Sequence, residues 1–130
     1  MNPVATTILI ADDDEDILDL VRRGLSDGGY EILLARDGAA ALATARERKP
    51  TLALLDIGMP ELDGFELTSA LKSDPATKDI IVILFTARGE ASEVDRGYEA
   101  GADDYIMKPF TLRTLQSRVL AALDKASRAS

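Results

Sequence analysis

Several carboxylates in this sequence stand at the ends of apolar runs, where a buried strand would surface. Leu52-Ala-Leu-Leu ends in Asp56, and Gly58, Pro60 and Asp63-Gly64 follow, all residues that turn a chain. Thr7 to Ala11 ends in Asp12-Asp13-Asp14, Ile80 to Phe85 ends in Thr86, and Tyr105 to Met107 runs into Lys108-Pro109. Were these runs parallel strands, every one of these polar groups would reach the carboxyl edge of the sheet, where open α/β sheets form their ligand crevice. Three carboxylates about 5 Å apart repel by roughly 3 kcal/mol per pair at an effective dielectric of 20. Such a cluster needs a cation, and a small hard ion such as Mg²⁺, which takes one or two carboxylates, a carbonyl and several waters, fits it. Lys108 adds a second positive charge and Thr86 a hydroxyl donor. Metal, ammonium and hydroxyl together match the oxygens of a phosphoryl group, and a carboxylate is a competent acceptor of one.

The remaining carboxylates read more plainly. Asp14 and Asp63 are placed as helix caps, and Asp103-Asp104 as solvated surface acids.

Composition narrows the chemistry further. The chain has 130 residues, 46% of them hydrophobic, which suits one domain spanning residues 1–130. Twenty-three acidic against fifteen basic residues give a formal charge of −8, the wrong sign for direct nucleic-acid binding. Neither a secretory signal nor a membrane span is visible, so a cytoplasmic protein is expected. Without cysteine or histidine, disulfides, thiolate metal sites, thiol nucleophiles and imidazole bases are excluded.

The elements that would position these groups can be read from periodicity. Five short apolar runs, Thr7 to Ala11, Tyr30 to Ala35, Leu52 to Leu55, Ile80 to Phe85 and Tyr105 to Met107, are mostly continuous, as in strands covered on both faces. Helix-like segments alternate with them. The first is expected from Asp14 to about Asp27 with Ile17, Leu20, Val21 and Leu25 facing the core, and the second from Asp37-Gly38 to before Pro50. The third follows the Asp63/Glu66 capping pair and runs to about Lys72. The fourth, roughly Glu90 to Ala100, has only Ala91, Val94 and Tyr98 as a buried stripe, and ends at Gly101. The fifth starts at Thr111 and packs Leu112, Leu115, Val119 and Leu123. Five β-α units of this length predict a three-layer, doubly wound α/β sandwich with a five-stranded parallel sheet of order 2-1-3-4-5 and five helices. Residues 6–124 would form the core and Lys125 to Ser130 a frayed tail or the stub of a linker.

Ile8-Leu-Ile-Ala-Asp12-Asp13, Leu55-Asp56-Ile-Gly-Met-Pro60 with Asp63-Gly64, Leu84-Phe-Thr86-Ala87 and Gly101-Ala-Asp-Asp-Tyr105-Ile-Met-Lys108-Pro109-Phe110 resemble, in order, the motifs of the receiver domain of two-component response regulators, a flavodoxin-like fold. The resemblance runs from about residue 6 to residue 124. It implies that Asp56 accepts a phosphoryl group from a phosphohistidine on a sensor histidine kinase or a phosphotransfer protein. It further implies that Asp13, Asp56 and the backbone carbonyl of Gly58 ligate Mg²⁺, with Asp12 acting mainly through water. Lys108 would pair with the phosphoryl oxygens, and the Lys108-Pro109 bond would be cis, a rare arrangement. Thr86 and Tyr105 would be the switch residues, moving so that the surface of helix four, strand five and helix five changes for a downstream target, an output domain or a second copy in a homodimer. Gly58 and Arg88, each two residues past a site residue, would influence the lifetime of the phosphorylated state.

Such a protein catalyses only its own phosphorylation and dephosphorylation and is not otherwise an enzyme. Two other functions use the same residues. A phosphatase of the haloacid-dehalogenase type needs a second Asp two positions after the nucleophile, and that position is Gly58. A pseudo-receiver that binds partners without being phosphorylated has no physical reason to retain a self-repelling acid cluster.

Overall fold

The computed structural model describes residues 6–87 and 91–129. Five strands, β1 (Thr7–Ala11), β2 (Glu31–Ala35), β3 (Leu52–Asp56), β4 (Ile81–Thr86) and β5 (Asp104–Met107), form one sheet of order β2-β1-β3-β4-β5. All four pairings are parallel. The helices α1 (Glu15–Gly24), α2 (Gly38–Arg48), α3 (Gly64–Ser73), α4 (Ala91–Ala100) and α5 (Leu112–Ala129) lie between and after the strands. This is the expected flavodoxin-like sandwich. The central strands β3 and β4 are buried along their whole length, which is why they read as unbroken apolar runs. The edge strands β2 and β5 alternate or thin out.

Side chains alternate across each strand and so sort into two cores. Leu9, Ala11, Ala53, Leu55, Val82 and Leu84 point to one face, where Ala41 and Ala45 of α2 and Phe65, Leu67 and Leu71 of α3 meet them. Ile8, Ile10, Leu52, Leu54, Ile83, Phe85 and Ile106 point to the other, covered by Leu18 and Val21 of α1 and Leu115 and Val119 of α5.

Three helices depart from their expected outlines. The helix expected to reach Asp27 ends as α1 at Gly24, and Ser26–Gly28 form a separate 3₁₀ turn. There the Ser26 hydroxyl donates to the Arg23 carbonyl at 2.8 Å, and Gly29 turns the chain with φ 73°. The buried stripe of α1 is Leu18, Val21 and Leu25, while Leu20, two residues and 200° round the helix from Leu18, is 40% exposed. In α4, Gly97 rather than Tyr98 takes the buried position. A Cβ on Gly97 would lie 2.9 Å from Leu84 Cδ1, so the absence of a side chain lets the helix approach β4. The expectations for Glu90 and for the Ala91 side chain fall outside the described residues. In α5 the stripe is Leu115, Val119 and Ala122, Leu123 is half-buried, and Leu112 is exposed. Residues 125–129 continue α5. Among the described residues no helix is long and apolar enough to cross a membrane.

Candidate functional site

The sheet brings the ends of β1, β3 and β4 into one mouth. Asp12 follows β1 and its backbone N–H donates to the Ala35 carbonyl at 3.1 Å, extending the ladder by one step before the chain turns. Asp56 closes β3 in register with Phe85, and the next N–H, of Ile57, donates back to Phe85 at 3.2 Å. These bonds hold both carboxylates at the sheet edge. Oxygens of Asp12, Asp13 and Asp56 lie within 4.8 Å of one another. Asp12 is fully buried, Asp56 is 9% exposed, and Asp13 faces solvent.

Lys108 enters this cluster from the loop after β5. Its backbone N–H donates to the Thr86 carbonyl at 2.6 Å, and its Nζ donates to Asp12 Oδ2 at 2.8 Å and to Asp56 Oδ1 at 3.2 Å. The ammonium also lies 5.8 Å from the centroid of Phe85, whose ring stacks on Phe110 at 5.2 Å. The stacked pair thus places an aromatic face near the ammonium, a contact that spacing along the chain does not reveal. The Lys108-Pro109 peptide is cis. Thr86 ends β4 and is almost fully buried, and Tyr105 lies beside Leu84 in the β4–β5 register, its ring edge-on to Tyr98 at 6.0 Å. Arg88 lies outside the described residues.

Electrostatics follow from this crowding. Burial pushes the Asp12 carboxyl above the ordinary value of 3.8; the Lys108 hydrogen bond and the Asp14 N–H donated to Asp12 Oδ1 at 2.9 Å pull the other way, and the Asp56 charge adds to the rise. Burial also opposes the Lys108 ammonium, yet its hydrogen bond to Asp12 and the charges of Asp56 and Asp12 outweigh it and hold the group above 10.5. The cluster is negatively overloaded even with the lysine in place, and its donors are all hard oxygens. That donor set fits a small divalent cation.

The loop after Asp56 is built to hold its shape. Met59 is buried, Glu61 adopts φ 67°, and Leu62 N–H donates to the Pro60 carbonyl at 2.7 Å. Asp63 caps α3 in a full capping box with Glu66, at 2.8 and 3.2 Å. Asp14 caps α1 through the Asp16 N–H. Gly58 is exposed, and a Cβ there would lie in van der Waals contact with Asp56 Oδ2 at 3.6 Å, so the position borders the carboxylate. Asp103 and Asp104, expected to be solvated, are instead engaged. Asp103 Oδ2 accepts from Lys72 Nζ at 3.1 Å and from the Val82 N–H at 2.9 Å, and Asp104 takes both contacts of Arg118 at 3.0 and 3.1 Å. Their partners stand 31, 21 and 14 residues away, distances at which a local pattern carries no signal.

Comparison with known proteins agrees with this geometry. Residues 8–120 match the family model described as the response regulator receiver domain. The chain is 44% identical over 116 residues to the transcriptional regulatory protein PrrA of Mycobacterium tuberculosis, covering 89% of this chain and 49% of PrrA. It is 45% identical over 120 residues to the phosphate regulon transcriptional regulatory protein PhoB of Pseudomonas aeruginosa, covering 92% and 52%. The chain therefore spans about half the length of these curated relatives. A CheY-like response regulator receiver domain protein from Methanospirillum hungatei superposes with a TM-score of 0.91 at 31% identity, over 98% of this chain and all of the other. With a family model matched over residues 8–120 and relatives above 40% identity, the protein belongs to the response regulator receiver domain family.

Proposed function

We propose that the protein is a phosphorylation-activated signalling switch in which Asp56 accepts a phosphoryl group from a phosphohistidine in a Mg²⁺-dependent reaction. The observation that carries this reading is the convergence of Asp12, Asp13 and Asp56 within 4.8 Å, with the Lys108 ammonium 3.2 Å from Asp56. A carboxylate oxygen of Asp56 would attack phosphorus as the imidazole nitrogen of the donor leaves with the bonding pair. Asp13, Asp56 and the Gly58 carbonyl would hold the cation, with Asp12 acting mainly through water. When bound, Mg²⁺ supplies positive charge to phosphoryl oxygens. Lys108 faces the same oxygens as a point charge, and the Thr86 hydroxyl is the donor that follows them. Because phosphorylation roughly doubles the charge on Asp56 and adds strong acceptors, Lys108 would exchange part of its contact with Asp12 for the phosphoryl group.

The donor in this reading is a sensor histidine kinase or a phosphotransfer protein in the cytoplasm, and the protein acts on no other substrate. The relatives PrrA and PhoB are named as transcriptional regulators, and each is about twice the span matched here. A downstream partner on the face of α4, β5 and α5, whether an output domain, a separate target or a second copy, follows from the same reading.

Intact mass after incubation with Mg²⁺ and acetyl phosphate tests it. The expected result is one phosphoryl adduct, lost with chelator and absent from Asp56→Asn. No adduct on folded, Mg²⁺-binding protein would refute phosphorylation and leave the pseudo-receiver reading in its place.

A further inference from the structure

Phe85 stands beside the proposed acceptor and is closed off from solvent. It is the partner of Asp56 in the β3–β4 register, its carbonyl accepts the Ile57 N–H at 3.2 Å, and its side chain is fully buried on the face covered by α1 and α5. Phe110, half-buried in the loop before α5, stacks on it with 5.2 Å between centroids and 15° between planes. The ring is thus fixed from below by the core and shielded from water by its neighbour.

The Lys108 ammonium lies 5.8 Å from the centroid of Phe85, inside the roughly 6 Å at which a ring face attracts a cation. Its stronger contacts are Asp12 at 2.8 Å and Asp56 at 3.2 Å. Those two carboxylates are also what a divalent ion would claim. An ion bound among Asp12, Asp13 and Asp56 takes up their oxygen lone pairs, and its charge repels the ammonium. The ring contact is not contested in this way. A hard, oxygen-seeking ion has no claim on an aromatic face, and exclusion of water strengthens the attraction of that face for the ammonium.

We propose that Phe85 is a positioning residue of the phosphotransfer site: its ring face keeps the Lys108 ammonium in the mouth when a metal ion takes the carboxylates, so that the charge is in place for the phosphoryl oxygens. The assignment rests on the phosphorylation reading above. Attraction to a ring face tolerates sideways movement better than a hydrogen bond does, so the ammonium can shift from Asp12 toward a phosphoryl oxygen without losing this support.

The test grades the electron density of the ring with little change in its shape. Phe85 is replaced site-specifically by mono-, di- and trifluorinated phenylalanine, which weaken the attraction of the face for a cation in steps. Phe65, whose ring faces Arg96 on the other side of the sheet, carries the same series as a control. The solvent-exchange rate of the Lys108 ammonium protons is followed by NMR with and without Mg²⁺, beside Mg²⁺ affinity and the rate of mass gain with acetyl phosphate. Exchange should quicken with each fluorine, more steeply in the Mg²⁺-loaded protein, and labelling should slow in step, by about threefold with the trifluorinated ring. Mg²⁺ affinity should hold throughout, whereas a merely structural disturbance would displace Asp56 and weaken it. The Phe65 series should leave all three readouts unchanged. Should the heavier rings unfold the protein, the monofluorinated ring, nearest the native one in size, still reads the first step. Exchange and labelling indifferent to fluorine, an equal response from Phe65, or a loss of Mg²⁺ affinity that accounts for the slower labelling would overturn the assignment. Failure of wild type to gain a phosphoryl group, seen without any variant, would instead overturn the reading beneath it, and the assignment with it.

Discussion

Lys108 is the residue at which the opposing charges of the site are balanced. It holds two carboxylates at 2.8 and 3.2 Å while its own side chain is only 20% exposed. Its pKa stands above 10.5, so the stability contributed by the ammonium is fully present below pH 10.5 and is lost as the pH rises through the higher native value. Urea unfolding of wild type and Lys108→Met should therefore show a stability gap that is constant from pH 7 to about pH 10 and narrows at more alkaline pH. Asp12 has the opposite sign. Its native pKa is raised, so ionising it works against the fold as the pH rises above 3.8. Apart from that burial, three carboxylates with oxygens within 4.8 Å of one another share a single ammonium, and relief of one charge should reveal their mutual repulsion. Asp13→Asn is expected to stabilise the metal-free protein by about 1 kcal/mol and to weaken Mg²⁺ binding at least tenfold, measured by urea titration with and without the ion. An unchanged or lower stability without metal would contradict that account.

At the scale of elements, the acceptor is placed by the join between β3 and α3. Gly64 N–H donates to the Ile57 carbonyl at 3.3 Å, and a Cβ on Gly64 would lie 2.6 Å from the Asp56 carbonyl oxygen and 2.8 Å from Ile57 Cα. The obstructing atoms are backbone and cannot swing aside. Gly64→Ala is expected to destabilise by roughly 1–3 kcal/mol and to move the acceptor strand end, slowing acetyl phosphate labelling of Asp56. Urea unfolding and the rate of mass gain read the two effects separately. The neighbouring helix α4 is tied to the same loop by Arg96, which stacks over Phe65 at 4.4 Å and reaches Asp63 at 4.0 Å. Its lower end is closed by Gly101 at φ 109°, with the Ala102 N–H bonded to Gly97 and the Gly101 N–H to Tyr98.

For the whole molecule, one side-chain network joins three elements that are far apart in sequence. Lys72 at the end of α3 donates to the Ile80 carbonyl at 2.6 Å, to the Lys78 carbonyl at 3.3 Å and to Asp103, which in turn accepts from Val82 at the start of β4. Removing the carboxylate leaves a half-buried ammonium and a strand N–H without their acceptor. Asp103→Ala should cost roughly 1–3 kcal/mol in urea unfolding, where a solvated surface acid would cost almost nothing. Phosphorylation of Asp56 should be unaffected, because this network sits at the opposite edge of the sheet from the acid cluster.

Much of the fold is legible in the sequence because the information is local. A strand covered on both faces must be apolar throughout, so Leu52–Leu55 and Ile81–Phe85 declare themselves, and the helix starts at Asp14, Asp37 and Asp63 follow from side chains that cap their own backbone. The acids and the lysine are legible for a related reason: polar residues that interrupt apolar runs mark where strands surface, and parallel strands surface together. Tertiary structure alone decided what depends on a partner far along the chain. Whether Leu18 or Leu20 faces inward is set by how α1 lies on the sheet, and the exposure of Tyr98 by how closely Gly97 lets α4 approach Leu84. The aromatic pair Phe85 and Phe110 beside Lys108 and the engagement of Asp103 and Asp104 likewise join residues that no periodicity links, because each contact is fixed by the packing of whole elements rather than by the spacing of neighbours.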